Sequence, residues 1–135
     1  MLNSQGKRTV ILLLVVSREI RNYMLSLCTE NNFDCIVAAD PEELVREIKK
    51  LDSAIIFTDY EAINLYGAGI YSRINATGTG SKIILLSDQN HRNLIKEAMD
   101  LGAYACILAP YKKWEVLTII RNILSRKKSY QAQES

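Results

Sequence analysis

Val10-Ile11-Leu12-Leu13-Leu14-Val15-Val16 decides the architecture of this 135-residue chain. Apolar side chains in unbroken succession leave neither face of a strand polar, so such a strand must be covered on both sides. The run is too short to span a bilayer. Lys7-Arg8 ahead of it gives the outline of a secretory leader. The next residues are Ser17-Arg18-Glu19, with no small-residue cleavage site, so the run reads as a core strand.

Four more short runs of this kind lie downstream, Phe33–Ala38, Ala54–Thr58, Lys82–Ser87 and Tyr104–Leu108. The five begin at positions 10, 33, 54, 82 and 104, which leaves room for one helix between neighbours. The intervening stretches have helical spacing. Ile20, Tyr23, Met24, Leu27 and Cys28 form one apolar face. Asp40-Pro41-Glu42-Glu43 opens the next helix with a capping acid and a proline at the first helical position. Leu94, Ile95, Ala98 and Met99 form a third face, with Gly102 placed to close that helix. Trp114, Leu117, Ile120, Ile123 and Leu124 form the last. The remaining helix, around Ile63–Ile74, carries two glycines and no stripe. Five strand–helix units with right-handed crossovers predict an α/β fold, a three-layer doubly wound (βα)5 sandwich on a parallel five-stranded sheet. The domain covers residues 8–127, and 128–135 is a polar tail or linker stub.

Composition narrows the function. A net charge of +2 and a pI near 8.4 lack the concentrated basic face that nucleic-acid binding requires. Cys28, Cys35 and Cys106 form no CxxC pair, and His91 is the only histidine, so no metal site is expected. Three apolar-flanked cysteines fit reduced thiols in a cytoplasm. Sites in doubly wound folds lie at the carboxyl ends of the strands. The first such loop carries neither a GxGxxG nor a P-loop sequence, and no nucleophile–base pair stands out, so an enzyme is not expected. At the other mouths stand Asp59 after strand 3, Ser87-Asp88 ending strand 4 and Ala109-Pro110-Tyr111 after strand 5.

A carboxylate, a hydroxyl and an X-Pro step in this order resemble the response-regulator receiver domain, a CheY-like, flavodoxin-like family. Gly67 follows Asp59 by eight residues, and Gly102-Ala103 and Pro110-Tyr111 stand where that family has Gly-Ala and Lys-Pro-Phe segments. The resemblance implies strand order 2-1-3-4-5, Asp59 as the phospho-acceptor position and Ser87 as the phosphoryl-contact position. It also exposes departures. Val15 and Val16 occupy the positions of the acidic pair that holds magnesium. Ala109 replaces the lysine, and Cys106 stands at the switch-aromatic position.

Phosphoryl transfer depends on positioned cations, and magnesium on several hard oxygens. The sequence therefore predicts an atypical receiver, or pseudo-receiver, of a bacterial two-component type, acting by protein–protein interaction without a cofactor. The alternative is a conventional phospho-accepting receiver of a phosphorelay, with Asp59 as acceptor and magnesium bound. Asp59 also reads as a loop-capping acid that accepts backbone hydrogen bonds, and Asp88 or Asn90 as a helix N-cap. Arg18 is a candidate cation substitute that would pair with Asp59. Several of Tyr60, Tyr66, Tyr71, Tyr104 and Tyr111 are candidates for one exposed rim, with amphipathic packing at the edge of the core as the equal alternative. By the resemblance, a signalling partner or a second copy would dock on the fourth helix, fifth strand and fifth helix. That face would include His91, Lys96, Tyr104, Tyr111, Lys112 and Lys113.

Overall fold

The computed structural model describes residues 9–51 and 53–134, with side chains described as far as residue 126. Strands β1 (Val10–Leu14), β2 (Asp34–Val37), β3 (Ile55–Asp59), β4 (Lys82–Ser87) and β5 (Ala105–Leu108) form one parallel sheet ordered β2-β1-β3-β4-β5. The strand order is the one the resemblance implied. β1 sits between β2 and β3, so Ile11 pairs with Cys35 on one side and Ile55 on the other. Both faces of β1 are covered, which its unbroken apolar run demanded. Ile11, Leu13 and Val15 enter one core beneath α1 (Arg18–Glu30) and the last helix, whose Val116 and Ile120 are buried. Leu12 and Leu14 enter the other, beneath α2 (Pro41–Lys49) and the helices between β3 and β5.

Local chemistry sets the helix starts. Ser17 Oγ accepts from Ile20 N–H at the head of α1, and Asp40 Oδ1 accepts from Glu43 N–H at 2.8 Å, with Pro41 at the first helical position of α2. Between β3 and β4 the single expected helix is two, α3 (Tyr60–Tyr66) and α4 (Gly69–Asn75). Gly67, at φ +87°, turns the chain out of α3 through a conformation that side chains rarely adopt. The next helix, α5 (Arg92–Asp100), is followed by Gly102 at φ +107°. A side chain there would run into the Asn75 amide, which donates to Leu101 C=O. The last helix, α6 (Lys113–Glu134), continues through the polar segment from 128 onward. No helix among the described residues is long and apolar enough to cross a membrane.

Candidate functional site

The strand mouths converge on Asp59. It ends β3, has no solvent exposure, and lies beside the loop that leaves β1 because the two strands are neighbours. A carboxylate buried this way must be satisfied by donors. Three backbone N–H groups do so. Oδ1 accepts from Val16 at 3.1 Å and from Ala62 at 3.0 Å, and Oδ2 accepts from Ser17 at 2.8 Å. The Ala62 bond makes Asp59 the N-cap of α3. The capping role read from the sequence is therefore the one the side chain plays. Two of its donors belong to, or directly follow, the positions where the family resemblance placed an acidic pair.

Arg18 is exposed and is not among the donors to Asp59; backbone amides occupy that side of the carboxylate. A second cation near this loop is Arg21, whose guanidinium donates to Val15 C=O at 3.1 Å. Val15 is buried, while Val16 is 37% exposed. The sequence reading passed over Arg21, since nothing in a helical arginine signals that it reaches back to a strand-end carbonyl.

Ser87 is buried, and its Oγ has no hydrogen-bond partner among the described residues. Its carbonyl accepts from Ala109 N–H at 2.8 Å and from the Tyr111 hydroxyl at 2.9 Å. The Ala109–Pro110 bond is cis. Burial pushes the Tyr111 phenol up, and Tyr60, Asp88, Asp59 and Cys106 add to the shift.

Asp88 does not cap α5. Its Oδ1 accepts from Asn90 N–H at 2.9 Å and meets His91 Nδ1 at 2.6 Å, while His91 takes the cap position with no side-chain bond to the helix. The carboxylate is thus committed to a local turn before the helix begins. The His91 ring also stacks on Tyr60, with centroids 4.4 Å apart.

The other tyrosines separate. Tyr66 donates to Ala39 C=O at the far side of the mouth. Tyr104 is half-buried below Lys82, whose ammonium lies 5.8 Å from the ring centroid. Tyr71, one of the rim candidates, is wholly buried; its hydroxyl bonds Thr58 Oγ1 at 2.9 Å, and burial raises its pKa to about 12. Cys106 is half-buried against the same core, its thiol pushed up to about 11 by burial. Of the expected partner face, Lys96 and Lys112 are exposed, and Lys113 pairs with Glu30 of α1 at 2.9 Å. His91 and Tyr111 of that face are half-buried, His91 against Tyr60 and Tyr111 against the Ser87 carbonyl.

The family model described as response regulator receiver domain matches residues 14–121. No curated protein matches the chain. Among solved structures, the signal receiver domain of an HD domain-containing protein from Pseudomonas fluorescens Pf-5 aligns with TM-score 0.77 and 20% identity. That alignment covers 91% of this chain and 99% of that one. The chemotaxis protein CheY4 of Vibrio cholerae aligns at TM-score 0.73 and 17% identity, over 87% and 99%. NtrX from Brucella abortus aligns at TM-score 0.77 and 19% identity over 94% of this chain, which spans only 28% of NtrX.

Proposed function

We propose, from the premise that this chain belongs to the response regulator receiver family, that it is a pseudo-receiver. It takes part in signal transduction by binding a protein partner, without magnesium-dependent phosphorylation of Asp59. The observation that carries this reading is the occupancy of the Asp59 carboxylate by three backbone N–H groups. An acceptor aspartate must offer an oxygen to the incoming phosphorus and share its charge with a cation. Here both oxygens already face fixed donors.

The donor set does not fit magnesium. A hard divalent cation takes about six oxygens. Among the described residues no cluster of three His, Cys, Asp or Glu side chains converges anywhere. Val15 and Val16 bring no side-chain oxygen, and the Val15 carbonyl is engaged by Arg21. Ala109 supplies no ammonium to balance phosphoryl charge. Incubation with acetyl phosphate and magnesium should therefore leave the intact mass unchanged. A phosphoryl adduct that disappears in Asp59→Asn would overturn the reading.

One observation favours the second reading, a phospho-accepting receiver. The Ser87 hydroxyl is buried and unpartnered, as a group waiting for a phosphoryl oxygen would be. That reading would use the lone pair that the single Ser17 donor leaves free on Asp59 Oδ2.

For the partner face, α5, β5 and α6 present Met99, Leu108 and Trp114 as exposed large apolar groups, Trp114 at 65%. Lys96 in α5 and Lys112 just ahead of α6 are exposed as well. A solvent-facing tryptophan is a strong anchor for a protein interface. A partner captured by the intact chain should be lost, by about tenfold or more in affinity, in Trp114→Ala combined with Lys112→Glu. Retention of the partner by that variant would move the interface elsewhere. A signal carried in this way needs no catalytic chemistry from the chain.

A further inference from the structure

The chain holds a second chemical feature on the opposite side of the sheet from Cys106. Cys28 lies in the last turn of α1 on its buried face, with Ile20, Met24 and Leu27. Cys35 lies in β2, two residues after Phe33, and like Phe33 it joins the core beneath α1. The turn between them is tight, since Phe33 N–H donates to Cys28 C=O at 2.9 Å. The strand therefore doubles back directly under the helix end that precedes it. All three cysteines are free thiols, and Cys28 and Cys35 share the core beneath α1, each the largest influence on the other's titration. Cys28 is fully buried, whereas Cys35 is partly open to solvent. Cys106 packs in the other core, across the sheet.

We propose that Cys28 and Cys35 form an oxidisable dithiol, a modification site at which a hydroperoxide converts the two thiols to an intramolecular disulfide tying α1 to β2. Cys35 is the attacking thiol because it is the one a solute can reach. Cys28 holds the Cys35 thiol below the usual range, while Cys35 and burial push the Cys28 thiol up. In the first step the Cys35 thiolate attacks the peroxide: an S–O bond forms, the O–O bond breaks, and the departing oxygen leaves as water after protonation. The product is a sulfenic acid. In the second step the Cys28 sulfur attacks the Cys35 sulfur. The S–S bond forms, the S–O bond breaks, and the Cys28 proton leaves with the hydroxyl as a second water. Two thiols lose two hydrogens and two electrons, and one hydrogen peroxide becomes two waters.

The test is intact-mass analysis and non-reducing peptide mapping of the folded chain after hydrogen peroxide, beside an untreated sample. The expected result is loss of two hydrogens per chain and a linked peptide pair joining Cys28 to Cys35. Cys106→Ser should give the same product. Cys28→Ser should instead stop at oxygen addition on Cys35, trappable by a sulfenic-acid reagent. Three results would overturn the proposal: a link that includes Cys106, a link between two chains, or a folded chain that stays reduced while the denatured chain oxidises. Circular dichroism of each variant before treatment confirms that it is folded. The result does not depend on whether Asp59 accepts a phosphoryl group.

Discussion

Asp59→Ala should lower the stability of the chain by roughly 3 kcal/mol, read as a shift of the urea midpoint at unchanged slope. Three backbone N–H groups point at this carboxylate, from Val16, Ser17 and Ala62. Buried donors left without an acceptor cost about 1–3 kcal/mol each, and water entering at the half-open Ser17 recovers part of that sum. Loss of the α3 cap is included in the figure, since the Ala62 bond is that cap. Asp59→Asn keeps one acceptor oxygen but turns an amide N–H toward the donors, so its cost should fall between those of Asp59→Ala and the parent. The sign is the informative part. A carboxylate held among other acids for metal binding repels its neighbours, and removing it relieves that repulsion. A rise in stability for Asp59→Ala would show that the amide cradle is not what holds this side chain.

The second large effect is expected at Tyr71. Its ring is fully buried between α4 and the sheet, and its hydroxyl bonds Thr58 Oγ1 one residue before Asp59. Tyr71→Ala should cost about 4 kcal/mol, from lost burial and the cavity left behind. Tyr71→Phe keeps the packing and removes only the hydroxyl, leaving the Thr58 oxygen buried without its partner. About 1–2 kcal/mol should be lost. Thr58→Val should cost a similar amount for the mirror-image reason. The double variant removes both partners together, so its cost should be clearly less than the sum of the two. Thermal unfolding of the parent, Tyr71→Phe, Thr58→Val and the double variant measures the coupling. Strict additivity would mean that the bond contributes nothing at this position.

The sheet was legible because burial on both faces writes itself into sequence as unbroken apolar runs, and β1 is the clearest of them. Helix starts were legible where a side chain does the capping, as Asp40 does in α2. The split between α3 and α4 was not, because two glycines in a weakly patterned stretch fit one poor helix as well as two short ones. Gly67 decides it through a left-handed φ that composition does not encode. At the site, the identities of Val15, Val16 and Ala109 could be read directly. The donors around Asp59 could not. The groups that satisfy Asp59 are backbone amides, which nearly every residue carries, so no residue type announces them. The ion pair sought from Arg18 failed to form for that reason. The core place of Tyr71 could not be chosen because tyrosine suits a rim and a core equally. The Cys28–Cys35 pair needs the helix to fold back over β2 before two thiols seven positions apart come together.

The central claim is that Asp59 belongs to a fixed amide cradle and no longer to a phosphorylation switch. Its most direct test is a backbone amide NMR spectrum of the intact chain, recorded with and without magnesium and a beryllofluoride phosphoryl mimic. The account predicts spectra that superimpose, with the Val16, Ser17, Ala62 and Ser87 amides unmoved. Large shifts at those amides and at Cys106, absent from Asp59→Asn, would contradict it and establish a working acceptor site.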